Sequence, residues 1–197
     1  MNKLLNTNGV IIQGCNYKSK FQENQDYNGY KGVGRYVSWP LSYEEDVESK
    51  EITDLIEEIW INNYECVSLI YDEWLINEYL SICKKKDIEI RVLLVESESI
   101  YPQFNDSYMN KIKLGYDYSQ GENHFSLLIY DLELSNLNNI TPLKNIFLKL
   151  NKKMLFDDIN DIKKYVEIRE DLKKKNKYDF EWDFGANILK ISEILDF

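Results

Sequence analysis

The chain is poor in the residues that most often build metal and redox sites. Its 197 residues include one histidine, His124, and three cysteines. A structural zinc site needs several thiolate or imidazole ligands close together, whereas Cys15, Cys66 and Cys83 are widely spaced and form no C-x-x-C pair. Their odd number also argues against a disulfide framework. We therefore expect no metal, no cofactor and reduced thiols in the cytoplasm.

Long apolar runs are also missing. A membrane-spanning helix needs about 20 consecutive apolar residues, but the longest runs here are CVSLIY and VLLV. The opening stretch MNKLLNTNGVII is interrupted by Asn6, Asn8 and Gly9, so it does not resemble a signal peptide. The sequence predicts a cytoplasmic protein with no membrane partner.

Positive charge is scarce relative to negative charge. The chain has 24 lysines and arginines against 34 aspartates and glutamates, which gives a net charge of −10. Phosphate contacts supply most of the affinity for nucleic acid, so we expect no nucleic-acid partner. An acidic surface attracts basic proteins. The alternative is that the charge serves solubility alone.

Apolar and aromatic residues are plentiful. Hydrophobic residues make up 44% of the chain and aromatic residues 14%, including fifteen tyrosines. This length and composition predict a single globular domain over residues 1–197. Tyrosine has an apolar ring and a polar tip, and it therefore suits both half-buried strands and binding interfaces.

Hydrophobic periodicity predicts an α+β fold. Apolar runs and alternation indicate strands, and apolar residues at helical spacing indicate helices. The expected strands are residues 9–15, 35–39, 66–71, 88–95, 108–119, 124–134, 178–184 and 187–195, and the expected helices are residues 42–62, 72–86, 143–150 and 155–175. Asp157 or Asp158 is expected to cap the last helix, which would turn Ile159, Ile162, Val166 and Leu172 inward.

Residues 65–96 form the clearest unit, a strand, a helix and a second strand with short joints. Such a unit implies a right-handed crossover and a parallel strand pair. We therefore expect a mixed sheet with helices packed on one face. The helix is expected to turn one stripe of side chains toward the second strand. The stripe consists of Leu75, Tyr79, Ile82 and Cys83, and the strand supplies Ile90, Val92 and Leu94.

The stretch GYDYSQGENHFS, residues 115–126, gathers the single histidine with Asp117 and Glu122. Carboxylates beside an imidazole can move protons or hold a metal. The intervening Ser119, Gln120, Gly121 and Asn123 are ordinary turn residues, however, and they favour an exposed tip between two antiparallel strands. We expect His124 to be neither a metal ligand nor a general base.

The stretch YDFEWDF, residues 178–184, alternates aromatic and acidic residues. This pattern is typical of a half-buried strand whose outer face carries Asp179, Glu181 and Asp183. These three residues, with Asp117 and Glu122, are the predicted partner-binding residues. The alternative is that the charges protect an exposed strand edge from pairing with other chains. Residues 187–195 are expected to pair with this strand.

Two stretches together show a resemblance to a known group of proteins. They are LGYDYSQGENHFSLLIYDL, residues 114–132, and LNKKMLFDDINDIKKYVEIREDL, residues 150–172. The pair resembles small cytoplasmic proteins of low-G+C Gram-positive bacteria, including immunity proteins of polymorphic toxin systems. The resemblance implies a protein that binds and blocks a cognate toxin. It assigns no catalytic residue.

We expect a non-enzymatic protein that binds a basic protein partner, with immunity against a toxin as its role. Two alternatives remain open. One is a small enzyme whose polar residues converge only in the fold, around Asp117, Glu122, His124 and Asp131. The other is a ligand-binding or regulatory domain.

Overall fold

The computed structural model describes residues 6–14, 73–85, 87, 90–97, 110–120, 125–133, 140–175 and 186–196. Helices and strands are both present, and the chain has the predicted α+β class. In chain order the elements of these residues are β1 (Asn6–Gly14), α1 (Glu73–Lys85), β2 (Ile90–Ser97), β3 (Lys111–Gln120), β4 (Phe125–Ser126), α2 (Leu127–Glu133), α3 (Thr141–Phe147), α4 (Ile159–Lys174) and β5 (Asn187–Ile194).

The described strands form one sheet in the order β1-β2-β5-β3-β4. β5 lies in the centre. It pairs with β2 along one edge and with β3 along the other, and both pairings are antiparallel. Because both edges of β5 are occupied, the predicted pairing of this strand with residues 178–184 is wrong. Residues 178–184 themselves lie outside the described residues.

The predicted strand–helix–strand unit is described only in part. Its helix and second strand are confirmed as α1 and β2. The first strand, expected at residues 66–71, lies outside the described residues, so the parallel pair stays a prediction. All strand pairings among the described residues are antiparallel. The elements expected at residues 35–39 and 42–62 also lie outside the described part of the chain.

The described buried residues of α1 include one member of the predicted stripe, Cys83, and one residue outside it, Ile76. Ile76 and Cys83 are buried, with exposed fractions of 4% and 0%, whereas Ile82 is only half-buried. The side chains of Leu75 and Tyr79 lie outside the described part. Cys83 is therefore confirmed as a core residue, and Ile76 is a core residue that the sequence analysis missed.

The second strand expected around the polar turn is mostly wrong. Only Phe125 and Ser126 pair with β3, and the chain then continues as the helix α2. The outer edge of β3 is already occupied farther along. There, Tyr116 N donates to Phe156 O over 2.8 Å, and Phe156 N donates to Tyr116 O over 3.0 Å. The backbone of Phe156 thus fills the positions that a longer β4 would need.

Two apolar clusters lie on opposite faces of the sheet. Ile188 packs against the first cluster, whereas its neighbours Leu189 and Ile191 belong to the second, as strand alternation requires. The first, called the helix-side cluster, contains Tyr118, Leu127, Leu128, Leu143, Ile146, Phe147, Phe156, Ile162, Tyr165 and Leu172. The second, called the far-side cluster, contains Leu93, Val95, Leu114, Leu155, Leu189 and Ile191.

α4 begins at the predicted acidic cap. The Asp158 side chain accepts a hydrogen bond from Asn160 N over 2.8 Å, which satisfies one of the free amides of the first turn. Lys173 and Lys174 in the last turn complement the helix dipole. Ile162 and Leu172 are buried as expected, and Ile159 and Val166 pack against the helix-side cluster.

Candidate functional site

The stretches of residues 114–132 and 150–172 pack directly against each other. The first supplies β3, β4 and α2, and the second supplies the turn before α4 and most of α4 itself. Their contacts include a backbone bridge, a close glycine contact and a buried ion pair. These contacts between the two stretches help to hold the fold together.

Gly115 allows the closest of these approaches. It lies at a β-bulge with φ of +147°, a conformation that residues with a side chain rarely adopt. A Cβ atom built at this position would lie 2.6 Å from Leu155 Cβ and 2.9 Å from Phe156 O. Only glycine lets the backbone of the second motif lie this close to β3.

Asn151 fixes the turn that follows α3. Its Nδ2 donates to Leu114 O over 3.0 Å and to Asp157 Oδ1 over 2.7 Å. Its Oδ1 accepts from the backbone amides of Lys153 and Leu155. One side chain thus satisfies polar groups on both β3 and the turn, which keeps the Phe156 backbone beside Tyr116.

A buried polar cluster joins α2 to α4. Asp131 Oδ2 accepts hydrogen bonds from Arg169 Nε over 2.7 Å and from Tyr165 Oη over 2.6 Å. The exposed fractions of Asp131, Arg169 and Tyr165 are 0%, 1% and 0%. An ion pair with so little water is costly to desolvate and is tolerated only when hydrogen bonds satisfy its members. Here the tyrosine hydroxyl supplies a further bond.

Burial controls ionisation in this cluster. It raises the pKa of the Asp131 carboxyl, and the charge and hydrogen bonds of Arg169 oppose that rise. Burial also raises the pKa of Tyr165 well above its usual value, with a further contribution from Asp131. Tyr165 therefore stays a neutral donor. These shifts suit a fixed structural contact between the helices.

Aromatic rings enclose the same cluster. The Tyr165 ring lies about edge-on to Tyr118 with 6.0 Å between the ring centroids, and it is also close to Phe147 and Phe156. The Arg169 guanidinium carbon lies 5.7 Å from the centre of the Tyr118 ring, within reach of a cation–π contact. The Arg169 guanidinium thus pairs with the Asp131 carboxylate and also packs against the Tyr118 ring.

Asp117 is buried on the other face of the sheet. Its neighbours in β3, Tyr116 and Tyr118, both contact the helix-side cluster, so alternation directs Asp117 away from it. Its Oδ1 accepts from Ser126 Oγ and from Tyr118 N, both over 2.8 Å. With an exposed fraction of 0%, its carboxylate does not reach the surface for a direct partner contact.

The structure does not bring the candidate enzyme residues into one site where it describes them. Asp117 and Asp131 lie on opposite faces of the sheet, and each accepts hydrogen bonds from its own protein partners. Glu122 and His124 lie outside the described residues, as do Asp179, Glu181 and Asp183. Their predicted roles stay predictions.

Neither a membrane span nor a metal cluster is found in the described ranges. No helix there has the length and apolar content needed to cross a bilayer. No three histidine, cysteine, aspartate or glutamate side chains there lie together as metal ligands would.

Sequence reasoning missed the inward position of Tyr165 and Arg169. Both lie on the same stripe of α4 as Ile162 and Leu172, at spacings of three or four residues. This helical spacing is the feature of the sequence from which the burial of both residues could have been predicted. An arginine on such a stripe is normally assigned to the surface, and its buried partner Asp131 lies 38 residues away in the chain.

Comparisons of this chain with protein-family models, with curated proteins and with solved structures found no match.

Proposed function

We propose that this chain is a non-enzymatic protein that binds a basic protein partner, and that its role is immunity, in which it binds and neutralises a toxin. The observation that carries the proposal is the net charge of −10. Charge of one sign on a surface steers oppositely charged proteins toward encounter and disfavours other partners.

The described core uses few of the carboxylates. Of its buried carboxylates, Asp131 pairs with Arg169, and Glu96 lies 2.8 Å from Lys190 and 3.5 Å from Lys111. These pairs neutralise charge locally, so the acidic surplus of the full sequence, 34 acidic against 24 basic residues, does not come from them. We infer that this acidic surplus meets a basic partner, and that tyrosines outside the core supply aromatic anchors at the interface.

The enzyme alternative receives less support. Two of its four residues, Asp117 and Asp131, are buried on different faces of the sheet and are hydrogen-bonded within the protein. A general base needs access to a substrate proton. A pocket that gathered His124 with two accessible carboxylates would favour the enzyme instead.

The test begins with the gene directly upstream, which the proposal expects to encode a toxin. We would express the toxic domain with and without this chain and measure cell growth. We would then measure association of the purified pair by surface plasmon resonance at two salt concentrations. The proposal expects rescue of growth and an association rate that falls as salt rises. A toxin that kills equally well with the chain present would contradict it.

The acidic strand can be tested on the same pair. Asp179→Asn, Glu181→Gln and Asp183→Asn together remove three charges. As a matched control, Glu78→Gln, Asp87→Asn and Glu167→Gln remove three charges from exposed positions elsewhere. If the strand binds, the first variant slows association and flattens its salt dependence more than the second. Unchanged rates at both salts, with aggregation seen by light scattering, would assign the charges to edge protection.

A further inference from the structure

The outer edge of β3 has two possible occupants within the described chain. At Ser119 and Gln120 the edge is paired with β4, and at Tyr116 it is paired with the backbone of Phe156. The register Ser119↔Ser126 is antiparallel, so each residue added to β4 would move one step back along β3. Three further residues would place Ile129 opposite Tyr116, where Phe156 now lies.

Residues 127–133 have a sequence suited to either state. Leu, Ile and Tyr in LLIYDLE are compatible with an extended strand. These residues are part of the strand that the sequence predicts at residues 124–134. A helix of seven residues gains little stability by itself, since isolated helices shorter than about 12–15 residues are marginal in water. Contacts outside the segment must therefore decide its conformation.

We propose that the buried Asp131–Arg169 pair selects the helical state of residues 127–133 over an extended state in which β4 would continue along β3. In the helix, Asp131 reaches Arg169 and Tyr165 on α4. In the extended state Asp131 would lie five steps beyond Ser126 along the edge of β3, away from these partners. The buried Asp131–Arg169 ion pair would then be broken.

The ion pair favours the helical state because it makes the extended state of residues 127–133 less stable. A buried ion pair often adds little net stability, because desolvation offsets the attraction between the charges. Separating the two charges inside the protein is strongly unfavourable, however. The ion pair thus destabilises an extended β4, and the edge of β3 at Tyr116 stays paired with Phe156.

The test replaces both charges at once. Asp131→Leu with Arg169→Met keeps apolar bulk at both positions and removes the penalty on extension. The matched control is Lys149→Met with Asp161→Leu, which removes a more exposed ion pair between α4 and the residues after α3. Backbone chemical shifts would report helix or strand for residues 127–133, and amide hydrogen exchange would report the Tyr116–Phe156 bridge.

The proposal expects the first double variant to fold and to show a second, extended set of signals for residues 127–133. Exchange at the Tyr116 and Phe156 amides should rise by about tenfold or more together with it, because the two occupants exclude each other. The control should keep one helical set of signals. A folded double variant with one helical set and wild-type exchange at the bridge would overturn the proposal.

Failure of the double variant to fold would also count against the proposal, because the pair would then supply stability and not selection.

A milder variant gives a second measurement. Arg169→Lys keeps a cation beside Asp131 but loses the planar fork of the guanidinium. We expect faster exchange confined to residues 127–133 and the Tyr116–Phe156 bridge. A uniform rise across the sheet and α4 would contradict a local role.

Discussion

Gly115 and Leu155 are so close that a methyl group on the glycine would lie 2.6 Å from Leu155 Cβ. The contact joins a bulge in β3 to the turn before α4. It also lies next to the Tyr116–Phe156 backbone bridge. Any side chain at Gly115 must therefore push the turn away from the sheet.

Gly115→Ala should destabilise the protein by about 2–4 kcal/mol. Overpacking and a side chain at positive φ both contribute, each at roughly 1–3 kcal/mol. Chemical denaturation would measure the loss. Ile112→Ala serves as the control in the same strand, because Ile112 is 53% exposed and should change the midpoint little. Equal midpoints for Gly115→Ala and wild type would refute the steric argument.

Asp131→Asn should cost about 3–5 kcal/mol, because it removes the carboxylate charge from a buried ion pair with Arg169. Asp171→Asn is the matched control, since Asp171 lies in the same helix as Arg169 and forms an exposed pair with Lys175 just after the helix ends. Exposed pairs contribute roughly 0–1 kcal/mol. Denaturant titration of both variants should separate them clearly, and similar losses would argue against a buried pair.

Ile76→Ala should destabilise the protein more than Ile82→Ala. Ile76 is 4% exposed, and truncating a buried isoleucine costs about 2–5 kcal/mol. Ile82 is only half-buried, so its truncation removes less apolar contact. The two denaturation midpoints give the order directly. The reverse order would restore the stripe expected from the sequence.

Cys83 should make stability fall at alkaline pH. Burial raises the pKa of its thiol from 9.0 to about 11. The unfolded chain therefore loses this proton first, so the contribution is complete below about pH 9 and is lost as pH rises toward 11. Two pKa units correspond to at most about 3 kcal/mol.

Comparing wild type with Cys83→Ala from pH 8 to pH 11 isolates this contribution, because the other titrating groups are common to both proteins. Wild type should lose stability more steeply. Parallel curves would show that the thiol is not protected. Iodoacetamide labelling of the folded protein at pH 8, followed by peptide mapping, should also leave Cys83 unmodified.

The elements that the sequence predicted well are those whose own periodicity carries the signal. α4 shows apolar residues at helical spacing behind an acidic cap, and β2 contains the apolar run VLLV. The failure at residues 127–133 has a different origin. Nothing within LLIYDLE indicates that Phe156, which follows much later in the chain, occupies the edge of β3.

The same limit applies to the candidate site. Asp117 and Asp131 were named together in the enzyme alternative as residues that would converge only in the fold. The helical turn at Leu127 and the strand alternation at Asp117 separate them. Arg169 was missed as the partner of Asp131 because pairing between distant segments leaves no local pattern.

The central position of β5 has a consequence for synthesis on the ribosome. β2 ends at Ser97, but the strand that joins it to β3 is complete only at Ile194. At 5–20 residues per second, about 5–20 s of translation separate these two points. Throughout that interval the facing edges of β2 and β3 lack the strand that joins them in the folded protein. Until β5 is made, those edges are open to pairing with other polypeptides.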